Sequence, residues 1–145
     1  HWRRRRGPGH DRRSARMKTA LMLAGGIGGV LLGLPYIFHA FGPTEAEVAH
    51  WGMICTLAGA VLLMLAVGIG RSKQRVAKVG LAAGYTALAL LQVPPIFLWF
   101  VFHGTGIPDG TPPSEFVAHW GYALAHLALL MVCLAAARER ARSRP

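Results

Sequence analysis

The chain has 145 residues, of which 53% are hydrophobic and only 15% are charged. This length allows one small domain, and the mean hydropathy of +0.38 is high for a soluble one. The formal net charge is +10, but the basic tracts lack interleaved aromatic residues and any recognisable nucleic-acid-binding fold. We therefore expect no nucleic acid partner.

Four long stretches contain no Asp, Glu, Lys or Arg, and each is at least 22 residues long. About 20 apolar residues cross the hydrocarbon layer of a bilayer as a helix. These stretches are apolar all round, whereas the helices of a soluble bundle show a polar face. The predicted spans are residues 19–40, 49–70, 79–102 and 117–137. They leave a flexible basic tail at 1–18, a basic link at 71–78 and a basic tail at 138–145.

The distribution of charge predicts the topology. All 16 Lys and Arg lie in the two tails and the 71–78 link, whereas the other two links contain only acidic charges. An excess of Lys and Arg marks cytoplasmic loops, so both termini are predicted to be cytoplasmic, with the tails against anionic lipid headgroups. The expected location is a bacterial plasma membrane. Trp51, Trp99 and Trp120 fall near the outer ends of their helices, as interfacial aromatic residues do.

The first predicted span has a rival interpretation as a signal peptide, because a basic stretch precedes an apolar one. We interpret it as a retained span, since the apolar run is long and no small-x-small cleavage pattern follows. Gly25, Gly29 and Gly33 recur every four residues and predict a face for close helix packing. Pro35 and the pair Pro94-Pro95 are predicted to kink or loosen the outer halves of the first and third spans.

A five-residue string is repeated. Val48-Ala49-His50-Trp51-Gly52 recurs as Val117-Ala118-His119-Trp120-Gly121, each time at the outer entry of an even-numbered span. LLGLPYIF (31–38) likewise resembles LLQVPPIF (90–97), although at a different offset. We predict an all-α integral membrane protein, a compact bundle of four transmembrane helices formed by two tandem two-helix repeats. Because each repeat has an even number of spans, a pseudo-twofold axis along the membrane normal should relate them.

Four histidines are predicted to lie at the outer surface, two from each repeat: His39, His50, His103 and His119. Histidine is the commonest metal ligand, and the same loops supply carboxylates, so a divalent metal is one hypothesis. The strings lack metal-binding spacing, however, and we favour the simpler interpretation of His-Trp pairs at the interface. His50 and His119 could also ligate a haem if both point toward the axis of the bundle.

His126 is different because it lies within the fourth predicted span, on one stripe with His119 and Tyr122. Gln92 and Thr56 are predicted at comparable depths, and intramembrane polar side chains usually face the bundle interior. We expect His126 to meet Gln92 or Thr56. Two interpretations stay open: a cofactor or ligand site that includes Tyr122, or a hydrogen bond that holds helices together. Cys55 and Cys133 are predicted to be buried, apolar and unpaired.

No hydrolase triad, phosphate-binding loop, zinc-protease string or dinucleotide fingerprint occurs in the chain, and no carboxylate lies within a predicted span. The first hypothesis is therefore a small non-enzymatic membrane protein that associates with itself or serves as an accessory subunit of a larger membrane complex. The second is a module that binds haem, quinone or a metal at the outer histidines. The third is a small transporter with a Pro-kinked outer cavity.

Overall fold

The computed structural model describes residues 8–38, 46–104 and 113–142, and the described chain is helical apart from short turns. Side chains are described for 12–38, 49–100 and 120–142. The helices are α1 (Pro8–Ile37), α2 (Ala46–Ile69), α3 (Arg75–Leu90), α4 (Val93–Gly104) and α5 (Pro113–Arg142).

Among the described residues, four helical stretches are long and apolar enough to cross a membrane, the same number as the sequence predicts. They are Arg12–Ile37, Ala49–Ile69, Arg75–Phe100 and Trp120–Arg142. The first begins earlier than the sequence indicated, because α1 extends back to Pro8 through the segment assigned to the basic tail. Large apolar side chains cover the outside of the bundle, as on Leu57, Met64 and Met131. Such a surface suits lipid tails or other helices.

The third span is interrupted, as the paired prolines predicted. Helix α3 ends at Leu90, and α4 begins at Val93 after a turn at Leu91 and Gln92. The N–H of Gln92 bonds the carbonyl of Ala89 in a tighter i−3 turn, and the N–H of Ile96 resumes the helical pattern on Gln92 O. Pro94 and Pro95 carry no N–H, so they leave the carbonyls of the residues four positions earlier without helical donors.

Glycine allows α1 and α2 to pack against each other almost backbone to backbone. A Cβ on Gly29 would lie 3.1 Å from the Cα of Gly59, and one on Gly52 would lie 2.7 Å from the carbonyl oxygen of Gly33. This confirms the predicted packing role of Gly29 and Gly33. Helix α5 packs against α1, α3 and α4, and α2 packs against α3, which completes the bundle.

All the Lys and Arg side chains that the structure describes belong to residues 12–18, 71–78 and 138–142. The side chain of Arg140 reaches the carbonyl of Ser72, so the 71–74 link and the end of α5 meet at one end of the bundle. Met22 lies near Gly70, which brings the start of α1 to the same end. We call this the basic end. The opposite end, which holds Tyr36, Trp51 and Trp99, is the aromatic end.

The two copies of the repeated string have different surroundings. Gly52 is buried against α1, whereas Gly121 is exposed and a Cβ there would have no described atom within 4 Å. The tandem repeat and its twofold axis stay predictions. The cysteine prediction is confirmed, since Cys55 and Cys133 are both buried and free.

Candidate functional site: a buried polar cluster

Six side chains from all four spans meet inside the bundle, toward its aromatic end. We call them the polar cluster: Tyr36, Trp51, Cys55, Gln92, Trp99 and His126. His126 and Gln92 are fully buried at its centre. The Nδ1 atom of His126 lies 2.8 Å from Oε1 of Gln92, which confirms the expected interior position and partner of His126. The other expected partner, Thr56, has a buried hydroxyl with no hydrogen-bond partner among the described residues.

The hydrogen bonds of Gln92 fix the orientation of its amide. The Nε2 atom of Gln92 lies 3.0 Å from the carbonyl oxygen of Leu88 and 3.4 Å from Sγ of Cys55. A carbonyl oxygen can only accept, so the atom facing Leu88 must be the NH₂ group. The Oε1 atom therefore faces His126, and because Oε1 also can only accept, Nδ1 of His126 carries the proton.

The second ring nitrogen of His126 is bonded as well. Its Nε2 atom lies 2.8 Å from the hydroxyl oxygen of Tyr36. In a neutral ring with a protonated Nδ1, Nε2 is an acceptor, so the Tyr36 hydroxyl donates to it. The same hydroxyl oxygen accepts a 3.0 Å bond from the indole N–H of Trp99. Both ring nitrogens of His126 are thus used within the protein.

The hydrogen bonds run in one direction through the cluster. Trp99 donates to Tyr36, Tyr36 to His126, His126 to Gln92, and Gln92 to Cys55. The Cys55 thiol lies 3.5 Å from the carbonyl oxygen of Gly29, where the chain of donors ends. Hydrogen bonds aligned in this way polarise one another, and each pairs a polar group that would otherwise be unsatisfied in the apolar interior.

The break in the third span explains why polar side chains gather here. Pro95 has no N–H for the Leu91 carbonyl, and the indole N–H of Trp51 donates to that oxygen at 2.9 Å. Because the backbone N–H of Gln92 bonds Ala89, the Leu88 carbonyl is left to the side chain of Gln92 itself. Side chains therefore replace the backbone donors that the helix loses, as membrane helices with proline require.

Aromatic rings close the cluster at its sides. The ring of Trp51 lies edge to face against Tyr36, with centroids 4.8 Å apart, and against His126 at 5.5 Å. The rings of Tyr36 and His126 are 5.7 Å apart. Trp51 and Trp99 are half-buried and direct their N–H groups inward, and the interfacial belt expected from the sequence stays a prediction.

Two other predicted site residues have described side chains, and one of them, Tyr122, is close enough to the cluster to interact electrostatically with Tyr36. His50 is exposed, and Tyr122 is half-buried on α5. His39 lies outside the described residues, as do the side chains of His103 and His119, so convergence of the four outer histidines stays a prediction. Among the side chains that the structure describes, no group of three His, Cys, Asp or Glu has the arrangement of a metal site.

Four members of the cluster were missed by the sequence analysis: Tyr36, Trp51, Cys55 and Trp99. A signal for Trp51 was present, because Pro95 predicts that the Leu91 carbonyl needs a donor from another helix. A buried tyrosine hydroxyl also needs a partner, which is a signal for Tyr36. Comparison with known proteins adds no analogy for the site, since no family model, curated protein or solved structure matches the chain.

Proposed function

We propose that this protein is a non-enzymatic four-helix membrane module that works by association, as an accessory subunit of a larger membrane complex or as a homo-oligomer. The observation that carries the proposal is the closure of the polar cluster. Both ring nitrogens of His126 and both ends of the Gln92 amide are bonded within the protein. A cluster closed in this way holds helices together and fixes their register.

The outer surface supports the same proposal. Exposed Leu, Val and Met side chains cover the long α2 face that includes Leu57, Val61 and Met64. Gly68 on the same helix and Gly121 on α5 have no described atom within 4 Å of the position of a Cβ. A helix from another protein can approach such positions more closely than lipid-facing Leu residues allow.

The finer topology belongs to the same proposal. Both termini and the 71–74 link are cytoplasmic, because cytoplasmic loops concentrate Lys and Arg and the described cations gather at the basic end. Two tandem hairpins related by a twofold axis would pack α1 on α5 and α2 on α3, as is observed. The unlike surroundings of Gly52 and Gly121 weigh against strict equivalence of the repeated strings.

The experiment is purification of the tagged chain from native membranes in a mild detergent, followed by measurement of its mass and absorption spectrum. The proposal expects a complex heavier than one chain, either with itself or with a reproducible partner, and no absorption band of a haem or quinone. A monomer with no co-purifying protein, even after crosslinking in intact membranes, would contradict it. A stoichiometric cofactor lost on substitution of His50 or His119 would favour the cofactor-binding alternative instead.

A further inference from the structure

The basic end contains a feature that the polar cluster does not explain. Arg140 lies in the last turns of α5, yet only 6% of its surface is exposed. Its Nη2 atom donates to the carbonyl oxygens of Ser72, at 2.9 Å, and Ile69, at 3.4 Å. Helix α2 ends at Ile69, so the guanidinium lies at the negative end of the helix dipole and pins the link to α5.

Other cationic side chains lie near Arg140, and not all of its own donors are used by the described residues. The Nε atom of Arg140 is buried and has no hydrogen-bond partner in the part of the chain that the structure describes. Arg71, Lys73 and Arg75 are all exposed around the pinned residue Ser72. The side chain of Glu139 is the only carboxylate that the structure describes.

The first turn of α3 adds a second attraction for an anion. Gln74 is the N-cap, and its side chain makes no capping hydrogen bond to the free N–H groups of the turn. The turn also contains no acidic residue. A helix N-terminus carries partial positive charge and offers backbone N–H groups to an anion, and here three cationic side chains surround it.

We propose that the phosphate of an anionic phospholipid headgroup binds at the N-terminus of α3, between Arg71, Lys73 and Arg75 and beside the buried Arg140. We assign the phosphate to a lipid because the site lies at the ends of two apolar spans, where one span ends at Ile69 and the next begins at Arg75. Basic pockets between transmembrane helices at the cytoplasmic surface are suited to such headgroups. The bound lipid would supply the negative charge that the α2–α3 link lacks.

The test compares two triple variants of the full chain in nanodiscs. The site variant is Arg71→Gln, Lys73→Gln and Arg75→Gln, and the matched control is Arg12→Gln, Arg13→Gln and Arg16→Gln. Both remove three exposed cations from the same end of the bundle. Arg140 is left unchanged, because its substitution would also release the link from α5. The readouts are the melting temperature and the phosphatidylglycerol retained in native mass spectra.

Replacing part of the phosphatidylcholine with phosphatidylglycerol should raise the melting temperature of the wild type and of the control. The site variant should lose this gain, and its retention of phosphatidylglycerol should fall about fivefold for each cation removed, or roughly a hundredfold for all three. In phosphatidylcholine alone its melting temperature should match that of the wild type. Equal losses in the two variants would overturn the proposal in favour of diffuse charge attraction. Equal stabilisation by inorganic phosphate would overturn the assignment to a lipid.

Discussion

The same five residues, Val-Ala-His-Trp-Gly, occur twice in this chain, and the two copies make different contacts. In the first copy Gly52 lies against the backbone of α1, and Trp51 donates a hydrogen bond to the broken third span. In the second copy Gly121 is exposed, and Trp120 packs edge to face on Phe100 with ring centroids 5.1 Å apart. The two strings therefore have the same side chains but different contacts, because each helix turns a different face toward the interior of the bundle.

The topology offers the largest test of this comparison. If the two strings enter the membrane from the same side, an accessible tag near Gln74 should be cytoplasmic, like tags at residues 1 and 145, whereas a tag near residue 110 should be outside. Each tag is scored for accessibility in intact cells and in inverted vesicles. Labelling of the 110 position from the cytoplasmic side only would refute both the topology and the shared orientation of the two hairpins.

The next largest effect is expected at the two glycines. Gly52→Ala would place a Cβ 2.7 Å from both Gly33 O and Tyr36 Cβ, so α1 and α2 must separate. We expect the free energy of unfolding to fall by about 1–3 kcal/mol. Gly121→Ala is the matched control and should be neutral or stabilising by up to about 1 kcal/mol, since alanine favours helix and the position is open.

Unfolding titrations in mixed micelles would measure both glycine variants. An equal loss of stability in Gly121→Ala would show that Gly121 lies against a helix in the assembled protein. Because the described residues of the chain place no atom there, such a result would support a contact with another copy or a partner.

A smaller effect on stability is expected for the two histidines whose side chains the structure describes, His126 and His50. His126→Leu removes the bonds to Tyr36 and Gln92, and we expect a loss of about 1–2 kcal/mol with the fold retained. His50→Leu, at an exposed position, should change the stability by less than about 0.5 kcal/mol. The two free energies of unfolding are compared in the same detergent. Loss of a partner or ligand from a folded His126→Leu protein would show that the cluster has a role beyond stability.

The fold was largely predictable, because the bilayer imposes strong requirements on sequence. Four charge-free stretches had to be helices, and paired prolines had to break the third. The predicted ends were less accurate, since α1 extends to Pro8 through Arg12 and Arg13, which are tolerated in an exposed helix. Whether basic residues beyond the span form a helix or a tail depends on local propensity rather than on hydropathy.

The site was predictable only in its centre. His126 and Gln92 are polar groups inside spans, and such groups pair with one another because an unpaired polar group is unfavourable in an apolar interior. The inward hydrogen bonds of Trp51 and Trp99 were not predicted, because amphipathic rings suit both an interface and a half-buried site. Whether an indole N–H faces the interior depends on helix rotation, and the sequence pattern does not determine rotation when a span is apolar all round.

The smallest expected effect concerns the pairing of Trp51 with the helix break. The indole supplies Leu91 O with a donor that Pro95 cannot supply, so Trp51→Phe should cost about 1 kcal/mol. In a Pro95→Ala background the backbone N–H of residue 95 can bond Leu91 O, and the cost of Trp51→Phe should fall by about 0.5 kcal/mol. Pro94→Ala is the control, because its N–H would serve Leu90 O and leave the cost unchanged. A double-mutant cycle on each proline measures the difference. If both cycles give the same coupling, the indole bond does not compensate the missing backbone donor, and Trp51 acts through its ring contacts with Tyr36 and His126 alone.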